Sequence, residues 1–219
     1  MRQDNTDITV VLDRSGSMGS IASDIIGGFN TFLEAQKKVP GMATFTLIQF
    51  DGQDPYEVME NAVNIKDAKN LTHLTFVPRA NTPLLDSLGM AITKAGERLS
   101  SMKEEDRPDQ VIFVVITDGY ENASKEYTKD MVNSMIATQT DIYKWEFIFL
   151  AANQDAIQTG ASMGFQANNS MTYGANPTDV KNAFASVTLN VGAYRGTKMK
   201  SSLNMSDDQR AKAVANIPV

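Results

Sequence analysis

Cysteine is absent from this chain of 219 residues, and its absence excludes several kinds of chemistry at once. There is no disulfide framework, no thiolate metal site and no cysteine nucleophile. Histidine occurs only once, as His73. A chain without cysteine also fits a reducing compartment.

Positive charge and long apolar runs are scarce as well. The 20 basic residues are outnumbered by 26 acidic ones, the net charge is -6 and the pI is about 4.8. A nucleic-acid partner is not expected, because phosphate binding requires a basic face. No segment approaches the roughly 20 apolar residues of a membrane span, and the polar residues 1–7 do not resemble a signal peptide. We therefore expect a cytoplasmic protein with neither a nucleic-acid nor a membrane partner.

The chain does contain short apolar runs that are typical of strands. The runs at 8–12, 111–116 and 145–151 are mostly apolar, as in strands that are buried on both faces of a sheet. The run at 44–50 alternates more, which indicates a strand nearer an edge. Residues 56–65 are the expected antiparallel neighbour of that strand, reached through a turn rich in Gly, Asp and Pro.

Helical periodicity fills the gaps between these strands. Apolar residues recur at intervals of three and four from Ile21 to Leu33. Thr82-Pro83 and Asn176-Pro177 each combine a capping residue with a following proline, so we expect Thr82 to cap its helix and Pro83 to be the first helical residue. Two further helices are expected, at 129–138 and 154–163.

Strands that alternate with helices predict an α/β fold with a doubly wound, mostly parallel sheet, helices on both faces and one antiparallel edge strand. We assign residues 1–195 to this domain and residues 196–219 to a polar C-terminal tail. Ser206 and Gln209 form a capping-box pattern that predicts a short helix in the tail. The tail either docks on the domain or extends to a neighbouring molecule.

The strongest functional signal follows the first predicted strand. Asp13-Arg14-Ser15-Gly16-Ser17 places a carboxylate and two hydroxyls at alternate positions, and Asp118 follows another interior strand. Because parallel strands end at one edge of a sheet, where open α/β folds bind ligands, Asp13 and Asp118 are expected to meet there, with Thr82 adding a further oxygen. An oxygen set without histidine or cysteine suits Mg²⁺, Mn²⁺ or Ca²⁺ rather than zinc.

Three segments together resemble the von Willebrand factor type A (VWA) domain family. Asp13-Arg14-Ser15-Gly16-Ser17 looks like its DxSxS signature, Asn81-Thr82-Pro83-Leu84 resembles its threonine loop, and Thr117-Asp118-Gly119 resembles its second aspartate loop. The similarity covers about residues 5–195, and it implies the VWA fold with a metal-ion-dependent adhesion site (MIDAS). The residues implied to hold the ion, directly or through water, are Asp13, Ser15, Ser17, Thr82 and Asp118.

The resemblance also implies a function. A MIDAS typically leaves one position open for a carboxylate of a partner protein, so we expect a cation-dependent protein-interaction module rather than an enzyme. Two carboxylates roughly neutralise a divalent cation and hydroxyls add no charge, so the ion still attracts an outside acid. Magnesium is expected in a cytoplasm by availability. Intracellular bacterial and phage members often work beside AAA+ ATPases or in stress operons, and such proteins are the partners implied by analogy.

Two other functions stay open on the sequence. A magnesium-dependent phosphohydrolase also uses strand-end aspartates, although a haloacid-dehalogenase-type loop would carry a second aspartate at the position of Ser15. A metal-independent scaffold that assembles through its tail is the other. Serine hydrolysis is disfavoured, because Ser17 lacks the first glycine of a G-x-S-x-G elbow and His73 lies in a polar stretch.

Three charged residues near these motifs have more than one interpretation. Arg14 is expected to be a solvated loop side chain, and contact with an acidic partner residue is the alternative. Asp51 and Glu121 are expected on loops that border the same edge of the sheet. Each is a turn residue, a charge at the rim of the site, or a support for the metal ligands.

Overall fold

A single six-stranded sheet organises the protein. The computed structural model describes residues 2–152 and 154–217, and in this part of the chain the strand order is β3-β2-β1-β4-β5-β6. All neighbouring strands are parallel except β3, which pairs antiparallel with β2 at one edge. The strands are β1 (Arg2–Asp13), β2 (Met42–Phe50), β3 (Glu57–Asn64), β4 (Pro108–Thr117), β5 (Glu146–Ala152) and β6 (Ser170–Tyr173). The predicted fold class is confirmed.

Helices cover both faces of the sheet. They are α1 (Ala22–Lys38), α2 (Leu84–Ser101), α3 (Lys129–Asp141), α4 (Ala156–Ser162), α5 (Pro177–Thr197) and α6 (Asp207–Ala213). α1 and α5 pack on one face, with Phe29 and Phe184 in its core, whereas α2 and α3 pack on the other, with Leu88 and Ile136. Burial on both faces explains why the central strands contain long apolar runs. None of the described helices has the length and apolar character needed to cross a bilayer.

The first strand is longer than its apolar run because its polar residues are paired. β1 begins at Arg2 rather than Ile8. The buried Asp7 accepts hydrogen bonds from Thr44 Oγ1 at 2.5 Å and Arg98 NH2 at 2.8 Å. Strand β6 was missed by the sequence prediction, since its four residues, Ser170–Tyr173, form no apolar run.

The two predicted helix starts turned out differently. Asn176 caps α5 as expected, because its Oδ1 accepts the Asp179 N–H at 3.0 Å and Pro177 is the first helical residue. The prediction for Thr82-Pro83 was wrong: α2 begins at Leu84, Pro83 precedes it, and no side chain of its own segment caps it. The Thr82 hydroxyl therefore remains available for other contacts.

The described part of the C-terminal segment packs on its own domain. Leu203, Met205 and Ala213 belong to the core on the α1–α5 face. Ser206 and Gln209 form the predicted capping box at the start of α6. Because these residues contribute to the same core, α6 is part of the same folded unit as the sheet.

Candidate metal centre

The carboxyl ends of β1 and β4 bring the candidate residues together. These strands are parallel neighbours with Leu12 opposite Ile116, so Asp13 and Thr117 end the two strands side by side. Asp118 follows directly, and the loop 80–83 lies against the turn after β1, where the Gly16 N–H donates to the Ala80 carbonyl at 3.0 Å. This is the edge at which open parallel sheets place their ligands.

Asp13 is fixed by hydrogen bonds to both of its carboxylate oxygens. Its Oδ1 accepts the Ser15 N–H at 2.6 Å, and its Oδ2 accepts the Thr117 hydroxyl at 2.6 Å. The Thr117 oxygen in turn accepts the Gly119 N–H at 3.2 Å. The carboxylate is therefore held in one orientation by both loops of the site.

The two serines of the first loop connect Asp13 to Asp118. Ser15 Oγ lies 3.2 Å from Ser17 Oγ, and Ser17 Oγ donates to Asp118 Oδ1 at 2.6 Å. Ser15 is buried whereas Ser17 is exposed. Ser17 thus lies at the mouth of the cluster, where an outside group can reach it.

Thr82 approaches the same cluster from the start of α2. A Cβ atom at Gly119 would lie 3.1 Å from Thr82 Oγ1 and 3.5 Å from Ser17 Oγ, so both hydroxyls converge beside this glycine. The Thr82 backbone is held by Asn122, whose Oδ1 accepts its N–H at 2.9 Å and whose N–H donates to its carbonyl at 3.1 Å. The structure therefore brings all five predicted residues to one place.

Both carboxylates of the cluster are buried, and both have a raised pKa. Asp13 is 0% exposed, and burial raises its pKa to about 6, with a smaller contribution from the charge of Asp118, against the hydrogen bonds of Thr117 and Ser15. Asp118 is 6% exposed, and burial raises its pKa too, against the hydrogen bond from Ser17. None of the ion pairs formed by the described residues includes either carboxylate.

The donor set fits a hard divalent cation. It consists of two carboxylates and three hydroxyls, and no group of three or more His, Cys, Asp or Glu side chains with metal-binding geometry occurs in the described ranges. Hydroxyl and carboxylate oxygens are ligands that Mg²⁺, Mn²⁺ and Ca²⁺ accept. Two buried carboxylates without a basic partner also supply the negative charge that such an ion compensates.

Arg14 is not a solvated side chain, and the prediction was wrong on this point. It is buried, and its Nε and NH2 atoms donate to Asp51 Oδ2 at 2.9 and 2.6 Å. It also pairs with Glu57 on β3. Asp51 additionally accepts the Arg79 Nε–H at 2.9 Å and the Gln53 N–H at 2.7 Å. Arg14 and Asp51 therefore stabilise the turn that follows β2. The acids that Arg14 contacts belong to its own chain.

Glu121 acts as a cap. Its Oε2 accepts the Leu85 N–H at 2.9 Å, and its Oε1 accepts the N–H groups of Ala123 and Ser124, each at 2.8 Å. Ser124 Oγ accepts the Asp86 N–H at 3.0 Å. The first turn of α2 is thus capped by the loop after β4, which explains why Thr82 has no capping role.

Sequence reasoning missed several residues that support the cluster. Besides Thr117 and Asn122, Gln154 donates from Nε2 to the Gly119 carbonyl at 2.9 Å, and Tyr173 donates to the Thr117 carbonyl at 3.0 Å. Thr117 was within the quoted segment, but its hydroxyl was not assigned a contact. The others lie in different segments, and no local pattern connects them with the site.

Comparison with known proteins agrees with this fold. The model of the von Willebrand factor type A domain matches residues 7–183. Proximal thread matrix protein 1 from the mussel byssus, in a structure described as having a zinc-occupied MIDAS motif, is 12% identical with a TM-score of 0.57, covering 84% of this chain and 45% of that one. A von Willebrand factor type A structure from Catenulispora acidiphila is 12% identical with a TM-score of 0.53, covering 84% and 42%. This chain thus spans less than half the length of these neighbours, and no curated protein matches its sequence.

Proposed function

Since this chain belongs to the von Willebrand factor type A domain family, whose domains often mediate protein–protein interactions, we propose that it is a divalent-cation-dependent interaction module. In this proposal Asp13, Ser15, Ser17, Thr82 and Asp118 hold the cation, directly or through water. The cation in turn receives an aspartate or glutamate of a partner protein. We propose binding, and not catalysis, as the activity of the domain.

One observation carries this proposal: Asp13 and Asp118 are both buried at one edge of the sheet without a basic partner among the described residues. Burying a carboxylate is costly unless a compensating charge is present. When bound, a divalent cation supplies that charge and attracts a carboxylate from outside. The zinc-occupied MIDAS of the mussel neighbour supports a divalent ion in this family, and the oxygen donors here favour Mg²⁺, Mn²⁺ or Ca²⁺.

The remaining contacts of the cluster orient the ligands. Thr117 and the Ser15 N–H fix the Asp13 carboxylate, and Asn122 clamps the backbone of Thr82. Ligands that are already oriented lose less conformational freedom when the ion binds. Because Ser17 is exposed at the mouth, a partner side chain can reach the cluster without rearrangement of the strands.

The charge of the protein makes partner binding conditional on the cation. The chain carries a net charge of -6, and the cluster by itself presents two carboxylates. An acidic partner residue is therefore repelled in the absence of the ion and attracted in its presence. The partner class that we propose, by analogy with intracellular relatives, is an AAA+ ATPase or a stress-operon protein.

Titration calorimetry with Mg²⁺ tests the cation site. We expect binding to the wild type, weaker binding to Ser17→Ala and no measurable binding to Asp118→Asn. Ser20→Ala is the matched control, since Ser20 is also exposed and its hydroxyl donates to the Ser17 carbonyl, at 3.3 Å, and not to a carboxylate of the described residues. Ser20→Ala should bind Mg²⁺ as the wild type does. If Ser17→Ala and Asp118→Asn also bind Mg²⁺ as tightly as the wild type, the proposed site is wrong.

A pull-down in Mg²⁺ or in EDTA tests the role of the cation in recognition. A specific partner should be retained in Mg²⁺ and lost both in EDTA and with Asp118→Ala. The decisive step is to replace acidic residues of that partner by their amides, one of which should abolish binding. A partner that stays bound in EDTA and with Asp118→Ala would favour the metal-independent scaffold, and turnover of an aryl phosphate abolished by Asp13→Ala would favour the phosphohydrolase.

A further inference from the structure

A second candidate site lies under α2, away from the metal centre. A cavity of about 310 Å³ opens between α2 and the strands β1, β2 and β3. Thr9, on its floor, precedes Asp13 by four residues on β1, which is on the order of 13 Å along a strand. The cavity therefore does not include any of the five residues of the cluster described above.

The floor of the cavity is polar, whereas the core that α2 and α3 cover on this face of the sheet is apolar. Thr9 lies on the α2 side of β1, as does Val11 two residues later, and it is opposite Thr46 on β2. Thr9 is 1% exposed, and its hydroxyl has no hydrogen-bond partner among the described residues. Buried hydroxyls are normally paired, and leaving one unpaired lowers stability. The Thr9 hydroxyl is thus free to hydrogen-bond a polar group that enters the cavity.

Two basic residues from successive turns of α2 reach the same cavity. Lys94 and Arg98 are four residues apart and both line it. Arg98 also bonds Asp7, whereas Lys94 pairs with the exposed Glu97 at 2.9 Å, and an exposed pair of this kind exchanges partners at little cost. The half-buried Tyr56 lies beside them: burial raises its pKa, and the charges of Lys94 and Arg98 oppose the rise.

The helix leaves room for an apolar body next to these charges. The apolar positions of α2 that line the cavity are the small residues Ala91 and Ala95. Leu88 and Leu99, before and after them, fill the neighbouring core. Ile48 and Val58 complete the apolar wall on the sheet. The cavity thus combines a basic mouth, apolar walls and a hydroxyl at its floor, as ligand sites of this size commonly do.

We propose that this cavity binds a small organic anion. A carboxylate or phosphate group pairs with Lys94 and Arg98, the apolar body lies against Ala91 and Ala95, and a polar atom at its far end pairs with the Thr9 hydroxyl. The proposal does not depend on the metal centre, because no residue is shared between the two sites.

A titration followed by amide NMR tests this proposal on the full chain in EDTA, which keeps cations out of the metal centre. The probes are 4-hydroxybenzoate, benzoate without the far hydroxyl, 4-hydroxybenzyl alcohol without the charge, and phenyl phosphate. We expect saturable shifts around Thr9, Tyr56 and Lys94 with an anionic probe and not with the alcohol. Carboxylate and phosphate ligands are distinguished by which of benzoate and phenyl phosphate binds more tightly, because neither of these probes has the far hydroxyl.

Two variants and one control assign the contacts. Lys94→Met should weaken binding of 4-hydroxybenzoate about fivefold, the upper range for a charge pair near the surface. Thr9→Val, which keeps the shape of the side chain, should weaken 4-hydroxybenzoate but not benzoate. Lys37→Met is the matched control, because Lys37 forms the same kind of pair with Glu34, also at 2.9 Å, on α1, and it should change nothing.

Several outcomes would overturn the proposal. They are binding of the neutral alcohol as tightly as of the benzoates, no effect of Lys94→Met, shifts that map away from α2, and the absence of saturable shifts with all four probes at millimolar concentration. Thr9→Val is expected to remain folded, and its melting temperature provides the check. If the wild type binds no probe and Thr9→Val has a higher melting temperature than the wild type, the Thr9 hydroxyl is unpaired and has no role in ligand binding.

Discussion

Asp13 should make the cation-free protein less stable as the pH rises. Its carboxyl is fully buried, and burial raises its pKa from 3.8 to about 6. A carboxyl whose pKa is raised by folding favours the folded state when it is protonated. Its contribution is present below pH 3.8 and is lost by about pH 6. At about 1.36 kcal/mol per pKa unit, the contribution of Asp13 to the free energy of unfolding in EDTA should fall by at most about 3 kcal/mol over this window.

The variant Asp13→Asn isolates this effect. The amide oxygen still accepts the Ser15 N–H, and the new NH2 group donates to the Thr117 hydroxyl. Thr117 then directs its own proton to the Gly119 carbonyl, which already lies 3.1 Å away. The hydrogen bonds around the side chain are kept while the ionisable group is removed, so the variant should be more stable than the wild type in EDTA near neutral pH. For a chain of this size, about 3 kcal/mol corresponds to roughly 6–12 °C in Tm.

Urea denaturation between about pH 4 and pH 8 in EDTA measures the prediction. The difference in unfolding free energy between wild type and Asp13→Asn should change across the acidic window and become constant above about pH 6. In saturating Mg²⁺ the order should reverse, because the wild type alone gains stability from the ion. Asp208→Asn, at an exposed position on α6, is the control and should leave the profile unchanged. A difference that does not vary with pH would refute the reasoning.

Three further predictions concern the supports of the site. Gly119→Ala should weaken Mg²⁺ binding in calorimetry, because the added Cβ would lie 3.1 Å from Thr82 Oγ1; unchanged affinity would mean that Thr82 is not a ligand. Arg14→Met should lower the free energy of unfolding by about 3 kcal/mol, since the fully buried Asp51 loses its main partner, and a loss below about 1 kcal/mol in urea would contradict a structural role. Glu121→Ala should cost about 1 kcal/mol through the lost cap of α2 and should also weaken Mg²⁺ binding, whereas the exposed Glu126→Ala should do neither.

The central sheet and the convergence of the site were predictable from local sequence. The runs that became β4 and β5 are apolar because both faces of those strands are covered, so they stand out without any knowledge of their neighbours. Asp13 and Asp118 were expected to meet because each follows such a strand, and parallel strands end at a common edge. The structure adds the distances, including the 2.6 Å contact between Ser17 Oγ and Asp118 Oδ1.

Features that depend on distant partners were not predictable in this way. Arg14 is buried only because Asp51 and Glu57, from the β2–β3 hairpin, surround its guanidinium. Strand β6 is short and half polar, and it is recognised only by its pairing with β5. These residues have the local pattern of loops, and their structure is decided by contacts with segments far away in sequence.

The capping of α2 by the loop after β4, and not by Thr82, connects the fold with the proposed function. A threonine before a proline would ordinarily cap the helix with its hydroxyl. Here Glu121 and Ser124 bond the first N–H groups of α2 instead, and Asn122 holds the Thr82 backbone at both its N–H and its carbonyl. The loop that carries Asp118 therefore both releases the Thr82 hydroxyl from capping and fixes its position. Thr82 and Asp118, which come from different segments, are thus positioned as one unit. A change in either loop should therefore alter the affinity for the cation.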